Sequence, residues 1–280
     1  MGAGIVSPEW HGSCSRIRIE LVLSIQKLQV GLPAGRMGVE LHYYATIGST
    51  NDRAAELARD GAPEGTLVVA DEQTAGRGRA GRKWHTPAGS GLALSLILRP
   101  RGLDSSVVRA LGLIGAMGII DALSEFGLQA ELKWPNDVLL QGGKVAGVLA
   151  EASWTGPRLD HVILGIGVNV KSAGLPSLAF PATSIESSRG QTVSREALLV
   201  GVLAGTDRWY GRLLAGEAHP AWEARLAYRG QRVAITNGTG EHEGRVLGLT
   251  REAGLRLEGT GGEEVVLEAG AYQLRPLVPV

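Results

Sequence analysis

The chain has 280 residues, 44% of them hydrophobic, enough apolar side chain to fill the core of one large domain with a small companion. Lysine plus arginine and aspartate plus glutamate both number 28, so no whole-molecule field draws the protein to nucleic acid or an acidic membrane, and any anion site must be local. The one cysteine, Cys14, can form no internal disulfide and supplies no zinc pattern, and the longest apolar run, 110–120, is too short to span a bilayer; a cytoplasmic protein is expected.

Residues 1–36 carry little pattern. A weak alternation over 17–30 fits a helix or a strand, Gly31, Pro33 and Gly35 break it, and Met37 then opens a clean strand at 38–46. The first 36 residues read equally as an extension before a start at Met37, ordered or not, and as an ordinary N-terminal helix packed on the domain. Next, Ser49-Thr50-Asn51-Asp52 turns the chain into a helix over 53–59. Ser49 or Thr50 is its natural N-cap, and Gly61 with Pro63 ends it.

An apolar strand at 66–72 then delivers the chain into a loop where three glycines and four cations crowd into positions 76–83. Glycines let backbone N–H groups approach a ligand, and arginine forks pair with carboxylate or phosphate, so this composition suits an anion with several oxygens. After Glu72 no acid occurs until Asp104, while Arg77, Arg79, Arg82, Lys83, Arg99 and Arg101 fall between them. A strand at 92–98, apolar on both faces and so central in a sheet, leaves the loop, and an apolar helix over 107–126 ends at Gly127.

Strands return at 131–134, 138–140 and 144–150, with a turn at Pro135-Asn136-Asp137 and a hairpin turn at Gly142-Gly143. Residues 161–170 form another buried strand whose two glycines mark a close backbone approach. A loop over 171–189 precedes a helix over 195–214 capped by Ser194, and a short helical piece lies near Trp222. From Tyr228 the texture changes to short strands at 231–235, 243–247, 255–257 and 264–267, a small barrel or sandwich with a boundary near Leu226.

Several familiar motifs fail on context. Gly76-x-Gly78-x-x-Gly81 matches a dinucleotide fingerprint, but residues 83–91 cannot form the helix it should open. Where an acid should hold the ribose stand Arg99, Pro100 and Arg101. There is no P-loop, no nucleophile elbow and no histidine pair with metal spacing. What remains is a set of polar residues at strand ends and turns: Gln73, the loop arginines, Lys133, Asn136, Asp137, Lys144 and Asn169.

The Gly76–Trp84 loop, Lys133-Trp134-Pro135-Asn136-Asp137, Lys144-Val145-Ala146-Gly147, Gly165-Ile166-Gly167-Val168-Asn169 and Ser49-Thr50-Asn51 together resemble the biotin protein ligases, in the same order from residue 38 to the C-terminus. The resemblance implies an α+β fold: a mixed-sheet, class II synthetase-like catalytic domain over 37–226 and a small SH3-like β-barrel over 227–280. It places Ser49, Thr50, Asn51, Gln73, Gly76, Arg77, Gly78, Arg79 and Gly147 at biotin, and Trp84, Lys133, Asn136, Asp137 and Asn169 on the ATP side with Arg79. Lys144 would sit by the biotin carboxylate and the α-phosphate, and Lys144 and Arg79 are the catalytic candidates. Metal ligands are not assigned.

The implied reaction has two steps in one site. Biotin and MgATP give biotinyl-5′-AMP and pyrophosphate, and a lysine of a biotin carboxyl-carrier domain then takes the biotinyl group. Cations that neutralise two approaching anions are the main device, and a glycine-rich loop closing over the intermediate would keep water away. Family members that double as repressors carry a DNA-binding domain ahead of Ser-Thr-Asn; 48 residues precede it here, and no DNA or membrane partner is expected, while a homodimer is allowed. A lipoate or octanoate ligase or transferase of the same fold, and a catalytically silent biotin or adenylate sensor, are the alternatives.

Overall fold

The computed structural model describes residues 23–32, 35–101, 105–172, 181–237, 240–270 and 272–277. A mixed sheet of seven strands in the order β1-β2-β3-β7-β6-β5-β4 forms its centre. The strands are β1 (Leu41–Ile47), β2 (Leu67–Gln73), β3 (Gly91–Leu98), β4 (Ala130–Lys133), β5 (Asp137–Leu140), β6 (Gly143–Thr155) and β7 (Arg158–Asn169). β1 and β2 run parallel, so a crossover must join them, and α2 (Thr50–Arg59) supplies it; the remaining pairs are antiparallel.

The two-residue period of β3 divides the core. Leu92, Leu94, Leu96 and Leu98 join the large apolar cluster with α3 (Ser105–Glu125) and α5 (Arg195–Leu214), whereas Ile97 packs with Ala54 and Ala58 of α2. α3 and α5 cross closely because a Cβ on Gly205 would stand 2.8 Å from Gly118 Cα. Ser95 lies on the side of β3 that meets the start of α2, and there it is fully buried.

Of the first 36 residues, the described part follows the packed-helix alternative. α1 (Ile25–Gly31) is capped by Ser24, Leu23 and Leu28 are buried in the large cluster, and Leu23 N–H donates to Asp71 Oδ2 at 3.1 Å. Residues 1–22 lie outside the described residues.

Four local expectations are corrected. The hairpin between β5 and β6 turns on Gln141-Gly142, both at positive φ, and Gly143 already pairs with Leu140. A two-residue turn of this hand needs both central residues left-handed, and Gln141 adopts that conformation at φ 51°, while a Cβ on Gly143 would press on Thr183. β6 runs on to Thr155 and β7 already starts at Arg158; Trp154 is exposed there, and the mixed polarity hid the strand pattern. Within the expected loop over 171–189, Ser184 caps the short α4 (Ile185–Arg189). Last, β12 (Gln273–Pro276) is too short for its alternation to be read.

After α6 (His219–Ala224) come β8 (Arg232–Thr236), β9 (Glu241–Leu249), β10 (Leu255–Glu258), β11 (Glu264–Leu267) and β12, an antiparallel sheet in the order β11-β10-β9-β8-β12. This is the small C-terminal β domain of an α+β, class II synthetase-like fold. It seats on the β4–β5 turn: Trp134 Nε1–H donates to Ala253 O at 2.8 Å, and the Trp134 and Tyr272 rings lie 5.5 Å apart. Leu132 exchanges backbone hydrogen bonds with Arg225 and Ala227, so β4 also anchors the connecting segment. No helix among the described residues is long and apolar enough to cross a membrane.

Candidate active site

The α2 start, the ends of β2, β6 and β7, the β4–β5 turn and β12 converge on a cavity of about 720 Å³. Of the candidate site residues read from the sequence, all but Gly76 line it. A Cβ on Gly76 would stand 2.5 Å from Trp84 O and 2.9 Å from Gln73 Nε2; this glycine closes the loop. The loop is a narrow finger. Trp84 N–H donates to Gly76 O at 2.9 Å, Gly78 N–H to Arg82 O at 2.6 Å, and the tip turns through Ala80 and Gly81, both at positive φ.

One end of the cavity is neutral and hydrogen-bonding. Ser49 accepts from Asp52 N–H as the α2 cap, leaving its own hydroxyl proton to give. Gln73 Oε1 accepts from Thr50 N–H at 2.8 Å and from the Thr50 hydroxyl at 3.1 Å. Gly165 stands where a Cβ would run into Asn51 Oδ1, and Gly167 where one would run into Trp84 Cε2. The two glycines read from the sequence as a close approach are therefore approached by these two side chains.

The other end is charged. Lys144 Nζ donates to Asp137 Oδ1 at 2.6 Å and lies 5.6 Å from the centroid of the Trp84 ring. Lys133, only 7% exposed, is brought down to about 8 by burial, with Lys144, Arg82 and Arg275 adding to the shift and Asp137 opposing it. Burial also lowers Arg79, which donates to Asn136 Oδ1 at 3.3 Å. Asn136 Nδ2 donates to Val148 O and Asn169 Nδ2 to Thr183 O at 3.1 Å, so both amides fasten the walls of the cavity. Among the residues lining it, Arg77, Arg79, Arg82, Lys83, Lys133, Lys144 and Arg275 face one carboxylate, Asp137. Such a surplus suits a polyanion.

Arg77 is engaged differently. Its guanidinium is taken by Asp52 at 2.6 Å and Glu151 at 3.3 Å, so in this conformation it ties the finger to α2 and β6. Sequence reasoning missed Glu151 and Ser95, which hold Arg77, Asn51 and Thr50, and it missed Tyr272, just before β12, and Arg275 within it. The lone hydroxyl in the run Leu92–Leu98 and the acid closing the run 145–151 were the available signals; Arg275 had none.

Residues 43–169 match the model of the biotin/lipoate A/B protein ligase family. The chain is 39% identical over 240 residues to the biotin–acetyl-CoA-carboxylase ligase of Paracoccus denitrificans, covering 81% of this chain and 98% of that protein. It is 35% identical over 254 residues to the bifunctional ligase/repressor BirA of Bacillus subtilis, covering 88% of this chain and 78% of that protein. Among solved structures, the biotin protein ligase from Aquifex aeolicus in complex with biotin and ATP superposes with a TM-score of 0.73 at 31% identity, over 84% of this chain and 98% of that one.

Proposed function

The chain belongs to the biotin/lipoate A/B protein ligase family, and from that premise we infer that it is an ATP-dependent biotin protein ligase acting on a lysine of a biotin carboxyl-carrier domain. One observation carries the reading: neutral hydrogen-bonding side chains and a surplus of cations, Lys144 among them, line one cavity. The ureido ring of biotin offers one carbonyl acceptor and two N–H donors. The Ser49 hydroxyl and the Gln73 amide, whose oxygen is already committed to Thr50, suit that pattern.

In the first step a biotin carboxylate oxygen attacks the α-phosphorus of MgATP, the bond to the bridging oxygen breaks, and pyrophosphate leaves. Two anions must approach each other. Lys144 and Arg79, together with Lys133, would neutralise both, in a partly dry site where charge acts strongly. In the second step the amine of the carrier lysine attacks the biotinyl carbonyl, the C–O bond to phosphate breaks, and AMP leaves. Magnesium would enter on the nucleotide, and Asp137, the carboxylate among the residues lining the cavity, would hold it, in keeping with the one or two carboxylates this ion takes.

We read residues 37–226 as the catalytic domain and 227–280 as its SH3-like companion, with Ser49, Thr50, Asn51, Gln73, Gly78 and Gly147 on the biotin side and Trp84, Asn136 and Asn169 on the nucleotide side. The single Cys14 supports a cytoplasmic setting, and the balanced charge supports ligation without a DNA-binding role. Incubation with MgATP, a carrier domain and either biotin, lipoate or octanoate, followed by streptavidin detection and mass spectrometry, tests the assignment. Biotin should be attached and the other two acids should not; no attachment of biotin by the wild type would overturn it.

A further inference from the structure

Arg77 lines the cavity, but its guanidinium is held by two carboxylates that do not. Nη1 donates to both oxygens of Asp52 at 2.6 Å, and Nη2 to both oxygens of Glu151 at 3.3 Å. Asp52 stands in the first turn of α2, directly after Thr50 and Asn51, and Glu151 stands on β6 beyond Gly147 and Leu149. Those four neighbours line the cavity, so the guanidinium joins two of its walls. The finger is a third wall. Arg77 pairs with Lys83 across it, and Gly78 N–H donates to Arg82 O at 2.6 Å, so fixing Arg77 fixes both strands of the hairpin. Asp52 is the main hold: its hydrogen bond is the largest of the causes that raise Arg77 above the ordinary arginine value.

The two carboxylates differ in what else they hold. Glu151 also accepts from Asn51 Nδ2, whereas Asp52 uses its carboxylate on Arg77 and its N–H on the Ser49 cap. A negative charge at this helix start gains from the helix dipole alone, but that gain requires no guanidinium 2.6 Å from both oxygens. The three paired side chains are 40–55% exposed, so each ion pair is modest in strength and open to screening by salt. Such a fastening can be made and broken. Because Asp52 and Glu151 lie outside the cavity, a ligand inside it does not compete for them. We propose that Asp52 is a positioning residue for the finger: by holding Arg77 it straps the finger to α2 and β6 and so sets how long biotin stays in the site. The proposal rests on the biotin ligase reading.

Full-length wild type, Asp52→Asn and Glu56→Gln would be compared by stopped-flow measurement of biotin release, with thermal melts to verify folding. Glu56 is the control, an exposed acid of the same helix that pairs with Arg53 and not with the finger. Asp52→Asn should release biotin about three- to fivefold faster, the scale of one exposed ion pair of good geometry, and Glu56→Gln should match wild type. Raising the ionic strength from about 0.01 M to about 1 M should speed release from wild type and narrow its difference from Asp52→Asn, because salt screens a pair that the variant already lacks. A merely structural role for Asp52 would lower the melting temperature without this salt signature. Unchanged release in Asp52→Asn, the same acceleration in Glu56→Gln, or a salt response as large in Asp52→Asn as in wild type would overturn the strap. With no ligand added, trypsin should cut after Arg82 and Lys83 faster in Asp52→Asn than in wild type, and equal cutting would also overturn it. A wild type that binds no biotin would refute the function reading, and the trypsin comparison, which needs no biotin, would still decide whether Asp52 holds the finger.

Discussion

Lys144 Nζ and Asp137 Oδ1 stand 2.6 Å apart, across the antiparallel pair of β5 and β6, in the wall of the cavity. On the proposed reading, this is the ammonium that neutralises a carboxylate and an α-phosphate as they approach. Lys144→Met should lower the rate of biotinyl-5′-AMP formation by about 10²–10³-fold, the range for losing one group that stabilises developing charge. Pyrophosphate release at saturating biotin and ATP measures it, and unchanged release would remove Lys144 from the reaction. Asp137→Asn should loosen the ammonium and lower the same rate by a smaller factor.

Lys133 gives a pH signature. Its folded value is about 8, below the ordinary lysine value of about 10.4, so above pH 8 the free protein loses an ammonium from the cavity. The kcat/KM for ATP should therefore fall as pH rises through 8, and in Lys133→Met it should be lower but without that fall. Stability moves the other way. Between the two values the unfolded chain binds the extra proton, so wild-type stability gains as pH rises from 8 toward 10. Urea melts at the two ends of that window should show the gain in wild type and its absence in Lys133→Met.

Gly167→Ala should be costly for a steric reason alone. Its Cβ would overlap Trp84 Cε2, and the ring is also held at 3.4 Å from the Cβ position of Gly147. Overpacking of this kind costs about 1–3 kcal/mol, here relieved by pushing the indole out of the cavity. A lowered Tm with a raised KM for ATP is expected. Pairing the change with Trp84→Ala should recover the Tm but not the KM.

The finger over 76–84 should report ligand binding through proteolysis. Arg82 and Lys83 are exposed, and the tip carries Ala80 in the left-handed region at φ 54°. Trypsin should cut the free protein there and cut it more slowly with biotin and ATP together, since ordering raises the cost of local opening. Equal cleavage rates with and without ligands would argue against closure of the finger.

Most of what local chemistry controls was readable along the chain: the Ser49 and Ser194 caps, the doubly apolar β3, the crowded Gly/Arg loop and a set of candidates of which all but Gly76 line the cavity. These signals are periodicity, capping and composition, which act over a few residues. Side-chain partnerships across the fold were not readable. Asn51 meets Glu151 and Ser95, Arg77 is claimed by Asp52 and Glu151, and Arg275 lines the cavity from a four-residue strand beyond the expected barrel strands. Strand order and register bring these groups together, and neither is encoded at any one position. By itself the sequence determined which chemistry is present and where the backbone must be close; only the tertiary structure decided which charges oppose one another and which are left for the ligand, because burial and pairing are set by neighbours distant in the chain.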